Sequence, residues 1–157
     1  MPDTTPEAAQ AENKANSVTF DIRKIYLKDA SLESPQAPGV FLAMDNSPNI
    51  QIDVDIQESK LPEQGYYSII LKVSVDAQFE GKTAFLCEVQ QGGVFAIDGL
   101  PDEDLTMALN IACPNVLLPF AREAISDLVT KAGFPQLLLS PINFEALFHQ
   151  KLQAQQH

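Results

Sequence analysis

Few residues in this chain are of a type and spacing that do chemistry. Asp53 and Asp55 stand two apart, and a carboxylate pair divides acid and base roles when its surroundings push the two groups apart in pKa. Residues two apart on a strand point the same way, and on this stretch that side is polar, so the pair reads as a solvated face. His149 and His157 have no cysteine or second histidine at metal-ligand spacing, and no metal is expected. Cys87 and Cys113 lack a CxxC spacing and sit among apolar residues, the setting of reduced core thiols. Gln91-Gly92-Gly93 is too short for a phosphate loop, and the sequence contains no GxGxxG, GxxxxGK[ST] or GxSxG. The chain reads as a non-enzyme, with no catalytic residue and no cofactor.

Its balance of charge points instead to binding. Ten Lys and Arg face 21 Asp and Glu, for a formal charge of −11 over 157 residues. That sign excludes a nucleic-acid backbone or an anionic membrane as the partner and favours a basic one. Met1 to Ser17 carries Asp3, Glu7 and Glu12 and lacks the basic end and apolar run of a signal peptide. No later apolar run reads as a membrane span of roughly 18 residues or more, so a cytoplasmic protein without membrane insertion is expected. Residues 1–17 read as a disordered tail, 18–152 as one domain and 153–157 as a short C-terminal tail.

The elements that position the polar groups are legible from alternation. Val18, Phe20 and Ile22 share one parity and Ile25 and Leu27 the other, which predicts a bulge near Lys24. Asp29, Ser31 and Glu33 then repeat with period two. Ile50, Ile52, Val54 and Ile56 alternate with Gln51, Asp53, Asp55 and Gln57, and Tyr67, Ile69, Leu71, Val73 and Val75 with Ser68, Lys72, Ser74 and Asp76. Ile70 is the outlier there. The last strand, Thr83 to Phe95, puts Phe85, Cys87 and Val89 on one face and Leu86 and Glu88 on the other.

Because cross-strand partners share a face, a three-residue loop Glu80-Gly81-Lys82 is expected. It pairs Val75 with Cys87, Val73 with Val89, Asp76 with Leu86 and Ser74 with Glu88. Leu86 then lies among carboxylates, as a small docking patch would. Beyond Phe95 the period becomes helical. A helix starts at Pro101-Asp102-Glu103-Asp104 and is interrupted at Cys113-Pro114-Asn115. A second runs from Leu117, with Pro119 in its first turn, to the stop at Gly133 and Pro135. A last amphipathic helix carries Phe144, Leu147, Phe148 and Leu152. Val40-Phe41-Leu42 is ambiguous. The expected fold class is α+β, a four-stranded, mostly antiparallel sheet followed by helices.

One inner sheet face cannot cover Phe41, Phe120, Phe134, Leu137 to Leu139, Phe144 and Phe148 together, so the chain oligomerises, keeps an apolar groove open, or both. An acidic oligomeric adaptor that binds one folded basic partner, with no unfolded client, is one reading of these features.

Longer stretches carry a resemblance. Ile25-Tyr26-Leu27-Lys28-Asp29 with Glu33-Ser34-Pro35-Gln36-Ala37-Pro38, the whole of Thr83 to Phe95, Cys113-Pro114-Asn115-Val116-Leu117-Leu118-Pro119-Phe120-Ala121-Arg122-Glu123, and Phe134-Pro135-Gln136-Leu137 with Pro141-Ile142-Asn143-Phe144 resemble, in order, the bacterial protein-export chaperone family SecB. The resemblance spans Phe20 to Leu152. It implies a homotetramer, a dimer of dimers, that holds precursor proteins unfolded in the cytoplasm and hands them to the motor ATPase SecA. By motif, Asp29, Glu33, Leu86 and Glu88 would meet the basic, zinc-bearing tail of SecA. Ile50, Ile52, Val54, Phe120, Phe134, Phe148 and Leu152 would belong to the client groove. One departure is that no acidic residue follows Glu145, whereas the family often ends in an acidic extension that also touches SecA.

Overall fold

The computed structural model describes residues 17–45 and 47–155. The expected N-terminal tail lies outside the described residues except for Ser17, as do the last two residues of the C-terminal tail. Four strands form one sheet in the order β1-β4-β3-β2, with every neighbouring pair antiparallel. They are β1 (Thr19–Glu33), β2 (Asn49–Lys60), β3 (Tyr66–Phe79) and β4 (Lys82–Asp98). Between β1 and β2 the ambiguous Val40 stretch forms one short helix, α1 (Val40–Ala43).

β3 and β4 are central, so their apolar parity is sealed between two neighbours and the helices. Ile69, Leu71, Val73, Val75, Cys87, Val89 and Phe95 are fully buried. The predicted bulge in β1 occurs between Ile22 and Lys24, and a second, unpredicted, falls between Leu27 and Asp29. Together they return Asp29, Ser31 and Glu33 to the face shared with Gln90, Glu88 and Leu86.

The β3–β4 pairing matches the predicted register at all four positions, but the loop differs. Phe79 pairs with Lys82, leaving only Glu80 and Gly81 in the turn, both with positive φ (52° and 77°), as a type I′ hairpin demands. Parity is restored by a shift between Ala77 and Gln78, where Ala84 is the extra residue.

The helical half is more continuous than its prolines suggest. α2 (Asp102–Met107), a π-helical turn (Ala108–Ala112) and α3 (Cys113–Lys131) follow without a break, correcting the expected interruption at Cys113-Pro114-Asn115. The π turn adds a residue just before Pro114, where Cys113 N–H donates to the Ala108 carbonyl, so the ladder is already shifted where proline lacks a donor. Pro119 lies inside α3 and not in its first turn.

This run, Asp102–Lys131, has 30 residues, with a window of mean hydropathy 1.2. By length and composition alone it could cross a membrane, contrary to the reading that no apolar run does. Here Leu109, Cys113, Leu117, Ala121, Ile125 and Val129 spend that hydropathy on the core. α3 ends in a Schellman motif: Gly133 N–H donates to Thr130 O (3.1 Å) and Phe134 N–H to Val129 O (3.2 Å), with Gly133 at φ 97°. The last helix, α4 (Phe144–Gln155), is capped by Asn143, whose Oδ1 accepts from Ala146 N–H at 3.0 Å.

Candidate interaction surfaces

The sheet has an inner face covered by helices and an outer face that is open. On the outer face, strand pairing builds three rows from β1 to β2: Glu33–Leu86–Asp76–Gln51, Ser31–Glu88–Ser74–Asp53 and Asp29–Gln90–Lys72–Asp55. Asp29, Glu33, Leu86 and Glu88 are thus brought together on neighbouring rows. Leu86 is 42% exposed, flanked by Glu33 on one side and Asp76 on the other. Asp76 accepts from Gln78 Nε2 at 2.9 Å, and Lys72 Nζ stands 2.8 Å from Glu88 Oε1. The Glu88 hydrogen bond, ahead of its Coulomb attraction, raises the Lys72 pKa above the ordinary lysine value.

The neighbouring row explains Ile70. Its cross-strand partner is Gly92, and Gly92 lies directly beneath the Tyr26 ring, which a Cβ there would overlap. Ile70 is only 6% exposed although it belongs to the outer face. Gly93 has the same role on the inner face, since a Cβ would stand 2.6 Å from Phe95 Cε2 and 3.0 Å from Leu117 Cδ2. Gln91, 5% exposed, donates from Nε2 to the Tyr26 carbonyl at 2.9 Å and so ties β1 to β4 beside the second bulge. The Gln91-Gly92-Gly93 run is a packing device. Two glycines inside a strand are the signal that could have identified it.

On the inner side, the apolar parity of β2 meets α4 and the segment before it. Ile52 and Val54 line a cavity of about 470 Å³ with Leu139, Ile142 and Leu147. Val54, Ile56, Asn110 and Phe148 line an adjoining one of about 150 Å³. Ile50 is half-buried against the core, and Leu152 is 39% exposed near the end of α4. Phe120 lies apart from these, lining a cavity of about 820 Å³ alongside α3 with Gln91, Arg122 and Leu138. Phe134 is buried in an aromatic row, 4.8 Å from Phe85 and 5.1 Å from Phe41 between ring centroids, and Phe41 is the exposed end of that row.

Sequence reasoning missed Asn110. Its Nδ2 donates to Thr106 O at 2.8 Å and to Glu58 Oε2 at 3.3 Å, linking the π turn to β2. Both cysteines are free and buried, and burial pushes their thiols up, Cys87 to about 11 and Cys113 to about 12. His149 is exposed, 3.9 Å from Glu145.

This chain matches the family model of SecB, preprotein translocase subunit SecB, over residues 12–155. It is 43% identical over 146 residues to the protein-export protein SecB of Methylobacillus flagellatus, covering 93% of this chain and 92% of that one. Its fold is similar to that of a SecB-like chaperone from Mycobacterium tuberculosis solved in complex with an antitoxin peptide. That likeness has a TM-score of 0.62 at 17% identity and covers 89% of this chain and 99% of the other.

Proposed function

The chain belongs to the SecB family of preprotein-export chaperones, which catalyse no reaction, and from that premise we propose how this molecule divides its work. It binds unfolded precursor proteins in the cytoplasm as a homotetramer, a dimer of dimers, and delivers them to SecA. The observation that carries this reading is that an acidic row with one exposed leucine and an apolar cavity lie on opposite faces of one sheet. A basic partner and an apolar client can therefore engage together.

SecA docks on Asp29, Glu33, Leu86 and Glu88. Its cations meet the carboxylates and Leu86 buries a small apolar contact, an arrangement that sets partner choice and on-rate. Clients lie along Ile50, Ile52 and Val54, with Phe148 and Leu152 on the α4 side; Phe120 offers a second, separate anchor beside α3, and Phe134, 4% exposed, backs the apolar surface from within the core. Burying one client Leu or Phe contributes roughly 1.5–3 kcal/mol, and micromolar affinity needs about −8 kcal/mol net. Several anchors must engage at once, which selects long unfolded segments over folded proteins, whose anchors are hidden. Assembly is supported by the inner side of β1, where Phe20, Ile22 and Leu27 are 40%, 43% and 51% exposed on an edge strand.

The test is refolding of a denatured substrate with stoichiometric intact oligomer. Slowed refolding and suppressed aggregation are expected. No effect would favour an adaptor for a folded basic partner.

A further inference from the structure

Within the three outer rows Lys72 is the only Lys or Arg, set among Asp29, Glu33, Asp53, Asp55, Asp76 and Glu88. It is opposite Asp55 across the β2 pairing and diagonal to Glu88 across the β4 pairing, and its Nζ stands 2.8 Å from Glu88 Oε1. The two side chains are 38% and 34% exposed. One carboxylate of the docking surface is therefore already engaged by the chain's own ammonium.

Resting on the docking reading above, we infer that Lys72 determines the specificity and strength of docking. It holds Glu88 in an ion pair that a basic partner segment must displace, which weakens binding to weakly charged partners. An exposed pair of this kind contributes little to folding, so a partner that brings several cations can open it. A partner with one cation meets both a neutralised carboxylate and a like charge beside it. Because Lys72 acts through Glu88 and through the local field, its signature is in the salt dependence and in its coupling to Glu88.

The experiment titrates the intact oligomer with SecA at low and high salt. Lys72→Gln should bind about threefold to tenfold more tightly at low salt, the range expected from removing one nearby like charge. The gain should shrink as salt screens it. Lys72→Arg, which keeps the charge, should bind as the parent does. In a Glu88→Gln background the Lys72→Gln gain should be smaller. A Lys72→Gln oligomer that binds no tighter than the parent, while Glu88→Lys loses SecA, overturns the inference and leaves the docking reading standing. A gain of equal size with and without Glu88 overturns the ion-pair account. If Glu88→Lys and Leu86→Gln both bind SecA normally at low salt, the docking reading itself fails, and the role of Lys72 with it.

Discussion

Gly92 shows how a single missing side chain organises the outer face. The Tyr26 ring occupies the space a Cβ would need, and Ile70 shares that row. Gly92→Ala should cost about 1–3 kcal/mol, the usual penalty of overpacking, seen as a lower denaturant midpoint with an unchanged slope. A midpoint within error of the parent would show that the ring moves away freely. The buried thiols make a second residue-level prediction. Cys87 is raised from 9.0 to about 11, so it binds its proton more tightly folded than unfolded. Its contribution is complete below pH 9 and is lost as pH rises toward about 11. Stability should therefore decline more steeply across that window in the parent than in Cys87→Ala. The alternation of Thr83 to Phe95 made the inward direction of Cys87 legible. It could not reveal the Tyr26–Gly92 contact, because that approach depends on a bulge two residues further along β1 and on side-chain direction.

Among the elements, strands were more legible than helices, for a physical reason. A sheet face is read two residues at a time, so pairing Val75 with Cys87 followed from parity even though the turn has two residues and not three. The compensating shift at Ala84 is invisible because Ala suits either face. Proline misled in the helices: Pro114 and Pro119 forbid specific hydrogen bonds, but the π turn before Pro114 and burial of Leu117, Ala121 and Ile125 keep the helix continuous. The stop at Gly133 was legible because the Schellman geometry demands a positive φ there. Gly133→Ala should destabilise by about 1–2 kcal/mol from left-handed strain. Its Cβ would also stand 3.1 Å from Phe41 Cζ. The check is a thermal melt alongside Gly39→Ala, where a Cβ meets only the Gln36 carbonyl oxygen at 3.6 Å; equal losses would argue against the strain.

At the scale of the whole molecule, one sheet separates an acidic surface from an apolar one. The outer rows gather Asp29, Glu33, Leu86 and Glu88, while Ile52 and Val54 face the α4 side. That Leu86 and Glu88 share the outer face with Asp76 was legible from register, whereas Asp29 and Glu33 join them only through the pairing of β1 with β4, and the docking role of all four is what the family resemblance implies. The groove could not be traced, since Phe120, Phe134 and Phe148 come from segments whose packing only the tertiary fold decides. In that fold Phe120 and the β2 residues line different cavities. The central claim is that docking and client holding are physically independent. Glu88→Lys measures this most directly when SecA affinity and suppression of client aggregation are determined on the same preparation. The account predicts SecA binding weakened at least tenfold, consistent with reversal of a charge at the contact, and suppression equal to the parent's. A parallel loss of both, in an oligomer of unchanged size, would contradict it.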